Sequence, residues 1–320
     1  MDRRRALARL LTAAALAFLL AAAADAPAPP IGDARWLAAD AVFAGLTRQP
    51  RECFIPPRDP GERRAAAIGR AAFRTPLLLG GQAARAGLSC ASCHRNGRGN
   101  PHFLFPGLSG APGTADVTSS LMSKHRGDGT VNPKPIPDLA RPPAARIVSH
   151  DPGSFALERF IHGLIVEEFD GPEPAPAVLG GLAAYVRAIR AEGCGRGDAP
   201  VTLAGRLEEV GAALALARDG DPATRRLLIA AARSALGAID ERFRLPGLER
   251  SRSLLRAADR ELQAVRSGSA GLDDWLARWP ERERRLRADE PRSLFARPVL
   301  RRYLDRASRR SVGRGANRRS

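Results

Sequence analysis

Apolar positions recur at helical spacing over two stretches of the chain and disappear between them. Trp36, Ala39, Val42, Phe43 and Leu46 line one face of a predicted helix over residues 34–46, with Asp33 as its cap. Pro56, Pro57 and Pro60 interrupt the pattern; further helices are predicted over 61–73 and 84–94. From residue 95 to 143 Gly, Pro, Asn and Asp dominate and no period survives. A loop this long is unusual in a compact domain unless it serves a purpose. Periodicity resumes over 154–166 through Phe155, Leu157, Phe160, Ile161, Leu164 and Ile165, and over 177–190 through Val178, Leu182, Tyr185, Val186 and Ile189.

Gly193-Cys194-Gly195-Arg196-Gly197-Asp198 reads as a boundary, and beyond Pro200 the texture changes. Leu203, Leu207, Val210 and Leu214 begin a series of helices that continues through Leu228–Phe243, Leu248–Val265 and residues 272–286, with Gly220-Asp221-Pro222 and Leu245-Pro246-Gly247 as turns. This predicts an antiparallel helical bundle over 200–290. It holds no His or Cys, so it is read as an interaction or scaffolding domain. The fold class expected is all-α: an N-terminal domain over 27–199 with a long loop, followed by the bundle.

The N-terminus has a different character. Arg3-Arg4-Arg5 precedes an apolar run from Leu10 to Ala24, the layout of a secretory signal over residues 1–26, with cleavage sites at Ala22-Ala23-Ala24 or Ala24-Asp25-Ala26. The run is shorter than the ~20 residues a spanning helix needs. A periplasmic or otherwise exported protein is therefore expected. The formal charge is +17, and the basic residues are nearly all Arg, with Lys124 and Lys134 the only lysines. The excess concentrates in residues 291–320, where Asp305 is the single acid, and this stretch is expected to be a disordered basic tail. Such charge suits an acidic redox partner or an anionic membrane surface. Nucleic acid is not expected for an exported chain.

Cys90-Ala91-Ser92-Cys93-His94 carries the strongest chemical signal. Cysteines at i and i+3 on one helical turn face the same edge of a porphyrin, so each thiol can form a thioether with a vinyl group, and the next residue offers its imidazole to the iron. A zinc half-site shares the CxxC, but zinc needs two more donors, and no second CxxC exists. A thioredoxin-like dithiol expects a βαβ setting that the pattern lacks. One covalent haem c is the cofactor expected, which makes residues 27–199 a cytochrome c-like haem domain whose long loop wraps the haem. The remaining cysteines, Cys53 and Cys194, flank this region; in an oxidising compartment they form a disulfide or stand as two thiols.

The pentad with Phe105-Pro106-Gly107-Leu108 resembles class I cytochromes c, where a Pro-x-Leu segment supplies the carbonyl that orients the haem histidine. That resemblance implies Pro106 as the acceptor for His94. For the sixth iron position Met122 is the first candidate, as the only methionine left once a signal is removed, with His125 and then His102 behind it and an open position as a further option. The competing role for Met122 is a gap-filling core residue. His150 and His162 are read as loop and helix residues.

A second resemblance covers roughly residues 64–190. Ile68-Gly69-Arg70-Ala71-Ala72-Phe73 followed by Gly87-Leu88-Ser89-Cys90-Ala91-Ser92-Cys93-His94 is similar to the haem-binding half of bacterial dihaem cytochrome c peroxidases and the related methylamine-utilisation enzyme. Those proteins carry two haems, whereas this chain has a single CxxCH. Three functions follow as expectations. The first is an exported monohaem electron carrier. The second is a peroxidase-like enzyme, for which His125, Arg126, Gln82, Glu167 and Glu168 are distal candidates and Trp36 or Tyr185 a second oxidising site. The third is a redox- or gas-sensing module.

Overall fold

Local capping explains where most helices begin. In the computed structural model, which describes residues 31–125, 127–142, 146–265 and 271–316, helix α1 spans Val42–Thr47, α2 Pro60–Phe73, α3 Gly81–Arg85 and α4 Cys90–Cys93. Then come α5 (Ala156–Gly163), α6 (Pro176–Ala188), α7 (Leu203–Arg218), α8 (Pro222–Arg242), α9 (Glu249–Val265), α10 (Leu272–Asp289) and α11 (Arg297–Ala316). Asp59 caps α2 by accepting from Glu62 N at 2.8 Å, and Asp221 caps α8 through Ala223 N and Thr224 N; both helices place Pro at their first position. Thr202 caps α7 through Gly205 N. The all-α expectation holds at the level of class. Strands among the described residues form only two ribbons: β1 (Arg48–Pro50) with β4 (Asp198–Pro200), and β2 (Thr114–Ala115) with β3 (Lys134–Pro135), both antiparallel.

Helices α2 and α6 make the closest crossing. A Cβ on Gly69 would lie 1.9 Å from the Gly181 carbonyl oxygen, so the two backbones meet with no side chain between them. Ala66, Ala72 and Phe73 on one side and Val178, Leu182 and Tyr185 on the other fill the flanks of this contact. The helices α7 to α10 form a closed ring, each packed on the next and α10 returning to α7. Short connections make α7 and α8 antiparallel neighbours. Trp275 is fully buried in α10, donates to the Ala258 carbonyl and stacks on Trp279 at 4.8 Å.

Apolar packing is continuous across Pro200. A single cluster runs from Cys53 and Phe73 to Trp275 and Leu286, and α2 packs on both α7 and α8. Residues 31–300 form one compact unit, so the described part of the segment read as 27–199 shares it with 200–290. The expected disordered tail does not hold over its first part. Leu294 N donates to the Arg242 carbonyl at 2.8 Å, Leu294 and Leu300 are fully buried, and α11 follows. From Arg301 onward that helix belongs to a second unit, rich in arginine. The signal reading, residues 1–26, falls outside the described residues, as does Arg126. No helix among the described residues is long and apolar enough to cross a membrane.

Three helix expectations are corrected. Residues 34–46 do not form one helix capped by Asp33; short 3-10 turns lead into α1, because Arg206 of α7 takes the Asp33 carboxylate at 2.7 Å. Residues 84–94 split into α3 and α4, because Gly87 turns with φ +72° and Ser89 starts a new helix through reciprocal bonds with Ser92. Residues 154–166 begin later, at Ala156, after Phe155 adopts the left-handed conformation, and end in a π turn at Leu164–Glu168.

Candidate metal centre

Helix α4 is one turn long and carries both free cysteines. Ser89 and Ser92 close a capping box at its start, and Asn100 Nδ2 donates to the Ser92 carbonyl at 2.8 Å from the following loop. His94 ends the turn: its N–H donates to the Cys90 carbonyl, while its backbone leaves the helix at φ −107°, ψ 71°. Cys90 and Cys93 pack onto the large apolar cluster that holds Phe73, Leu88, Phe103, Phe105 and Met122. Burial pushes each thiol up to about 12. Both sulfurs are therefore neutral at physiological pH and sit beside apolar surface.

The His94 ring is oriented from across the loop. Its Nδ1–H donates to the Pro137 carbonyl at 3.0 Å. This corrects the Pro106 assignment. In the loop after the pentad two segments fit Pro-x-Leu, Pro106-Gly107-Leu108 and Pro137-Asp138-Leu139, and the second is the one held against the histidine. Leu139 N donates to the Gly97 carbonyl at 3.1 Å and Arg98 Nε donates to Asp138 at 2.6 Å, which pins the segment just beyond the pentad. Pro106 instead leads the turn in which Leu108 N bonds the Phe105 carbonyl. With Nδ1 engaged, Nε2 is the nitrogen left to meet a metal. Burial lowers the His94 pKa to about 4, against the pull of the Pro137 carbonyl, so the ring is neutral as a ligand must be.

These residues fit a c-type haem: two free thiols one turn apart, the adjacent neutral imidazole with its back nitrogen anchored, and an apolar lining. They do not fit zinc, because no group of three or more His, Cys, Asp or Glu gathers in metal-binding geometry among the described residues.

Other candidates are distributed unevenly. Met122 is buried at 2% exposure in the same apolar cluster as the α4 cysteines. Its segment is tied to the π turn after α5: Ser123 Oγ donates to the Glu167 carbonyl and Lys124 N to Asp170 at 3.1 Å. Met122 and the pair Glu167 and Glu168 are thereby brought to one region, with Glu168 buried. His125 is in that region too but points outward, two-thirds exposed, with Nε2 3.7 Å from Asp170. Gln82 and His102 are exposed. His162 is held at the surface by Glu173 at 2.8 Å, and His150, lowered to about 4 by burial and by Arg146 and Arg187, lies in the loop before α5. Trp36 donates to the Ala86 carbonyl and packs on Phe105 at 4.0 Å between ring centres, which is a core role.

A polar network behind the site has no counterpart in the sequence reading. Tyr185 Oη donates to Glu52 at 2.6 Å, Arg70 pairs with Glu52 at 2.7 Å, and Arg74 at 3.0 Å reaches both Glu52 and Asn96. Phe73 lies between Tyr185 and His94, at 5.2 and 6.4 Å between ring centres. Burial alone would raise Glu52, but the Arg74 charge and the hydrogen bonds from Arg70 and Tyr185 hold it down at about 2. The i, i+4 spacing of Arg70 and Arg74 on a helix otherwise rich in Ala was the available signal. On the other side of α4, an open cavity of about 490 Å³ is lined by Ala91 and Ser92 with Arg70, Arg95, Arg206 and Glu241, but by none of Cys90, Cys93 and His94.

The ribbon of β1 and β4 sets the remaining cysteines. Arg48 pairs with Pro200 and Pro50 with Asp198; just beyond, Arg190 N donates to the Cys53 carbonyl at 2.8 Å. Cys53 and Cys194 are joined as a disulfide, as expected, closing a loop that contains the whole site. Comparison with protein-family models, with curated proteins and with solved structures found no match to this chain.

Proposed function

We propose that this chain is an exported monohaem c-type cytochrome that transfers electrons. The observation that carries the reading is the pairing of two free cysteines on one turn with a histidine whose Nδ1 is anchored to the Pro137 carbonyl. When bound, the haem supplies a one-electron ferric–ferrous couple. The rest is the work of the chain. Cys90 and Cys93 Sγ would hold the ring by thioethers, and His94 Nε2 would ligate the iron. The Pro137 carbonyl raises the basicity of that imidazole and fixes its plane. The apolar cluster around Phe103 and Phe105 excludes water and lowers the local dielectric. Met122, buried in the same cluster, is the residue we assign to the sixth position.

The Cys53–Cys194 disulfide supports an oxidising compartment. The charge of +17 favours an acidic redox partner, drawn in by long-range attraction, and would also suit an anionic membrane surface. The test is expression in a host that matures c-type cytochromes. One haem per chain, retained in acidified acetone, is expected, with a far-red ferric band that disappears in Met122→Ala. Colourless protein would remove the proposal, and a high-spin iron that reacts rapidly with peroxide would move it to a peroxidase.

A further inference from the structure

Arg98 joins the disulfide to the histidine. Its Nη1 donates to Cys53 Sγ at 3.2 Å and reaches Cys194 Sγ at 3.6 Å. Its Nε donates to Asp138 at 2.6 Å. Asp138 also accepts from Ala140 N at 2.9 Å, and the neighbouring Pro137 carbonyl holds His94 Nδ1 at 3.0 Å. One guanidinium thus spans the two sulfurs and the segment that orients the candidate iron ligand. We propose that Cys53–Cys194 is a redox-active bridge whose state is transmitted through Arg98 and the Pro137–Leu139 segment to His94, so that Arg98 is a positioning residue for the iron. This rests on the haem reading and adds a regulator to it.

The chemistry favours one direction of attack. Cys53 is fully buried, whereas Cys194 keeps surface, so a dithiol reductant attacks Cys194 Sγ through its thiolate. A mixed disulfide forms at Cys194, the Cys53–Cys194 bond breaks, and the electron pair leaves on Cys53 Sγ. That sulfur faces a guanidinium, which stabilises it as a leaving thiolate. The second thiol of the reductant then displaces Cys194. The reductant ends as its own disulfide, two electrons have entered the protein, and protons taken from the reductant and solvent complete Cys194 and, in part, Cys53.

Arg98 then faces a different partner. A disulfide sulfur is a weak acceptor, and a thiolate carries a full charge. The guanidinium is drawn toward Cys53 and away from Asp138. As Asp138 loosens, the Pro137 carbonyl draws back from Nδ1, the imidazole becomes less basic, and the ferric state loses stabilisation. The expected effect is a roughly tenfold rise in the ferrous-to-ferric ratio at fixed poise, equivalent to ~59 mV for one electron.

The experiment uses the full-length haem protein in three forms: bridge intact, bridge opened with dithiothreitol that is then removed under anaerobic conditions so that the free dithiol persists, and Arg98→Lys. Each is titrated spectroelectrochemically after reoxidation of the iron. Opening the bridge in the wild type should raise the potential. Arg98→Lys should raise it with the bridge intact and show little further change on opening. Equal potentials with the bridge open and closed, or effects of the two changes that simply add, overturn the proposal. Should opening the bridge unfold the chain, an unchanged potential in Arg98→Lys still does so. The haem reading fails separately, by absence of covalent pigment. In that case nitrogen-15 NMR of His94 Nδ1 in the apoprotein, with the bridge open and closed, reads the same linkage.

Discussion

Acidification should weaken the folded chain through Glu52, and Glu52→Gln should remove that weakness. The carboxyl is held from its usual 4.5 to about 2 by Arg74, Arg70 and Tyr185, against the opposing effect of burial. In the unfolded chain those partners are absent and the group titrates near 4.5. The unfolded chain therefore takes up the proton first. The stabilisation is fully present above pH ~4.5 and is lost as the pH falls toward ~2. At ~1.4 kcal/mol per pH unit, that interval corresponds to ~3 kcal/mol. Its side chain is only 13% exposed, so solvent screening takes little from this figure. The assay is guanidinium chloride unfolding of wild type and Glu52→Gln in steps from pH 7 to 2. The variant should be less stable by a few kcal/mol at pH 7 and should converge on the wild type as the pH nears ~2. Parallel curves, with a constant difference across the acid limb, would refute the coupling between Glu52 and its arginines.

Three further outcomes follow from the geometry. Gly69→Ala should cost at least ~3 kcal/mol in chemical unfolding, because its Cβ would strike the Gly181 backbone rather than a side chain that can move; a change under ~1 kcal/mol would contradict the helix crossing. Pro106→Ala should leave the iron potential and ligation spectrum unchanged, since the His94 acceptor is Pro137; a shift as large as a ligand change would restore Pro106 to that role. A thiol count on unfolded, unreduced protein should find two free thiols in apoprotein, from Cys90 and Cys93, and none once haem is attached; four in the apoprotein would deny the Cys53–Cys194 bridge.

What was legible in the sequence was what lies close along the chain. The pentad is confined to five residues, and its helical turn needs no distant partner. The bundle was legible because its apolar period runs unbroken between Pro- and Gly-marked turns; α9, at Glu249–Val265, begins within a residue of the expected Leu248. The histidine acceptor was not legible, because two Pro-x-Leu segments lie in the loop after the pentad and only the Arg98–Asp138 and Leu139–Gly97 bonds decide between them. The Glu52 network joins residues up to 133 positions apart, and nothing periodic marks it. The helix expected at 34–46 failed for a related reason: a cap residue that looked local was recruited by Arg206 from far along the chain. In each miss a long-range polar contact overrode a local preference.

The cystine joins residues 141 positions apart in sequence and encloses the Cys90–His94 turn and the whole irregular stretch after it. A protease that nicks an exposed bend in that stretch, such as the one near Val131, would therefore not separate the two pieces. The upstream fragment would keep the Cys90–His94 turn and the downstream fragment the helical ring, tied together by one sulfur–sulfur bond. Cut protein should migrate as a single stained band on a non-reducing gel and fall into two only after thiol treatment. Wear to that loop need not mean loss of the turn that carries the two thiols and the imidazole.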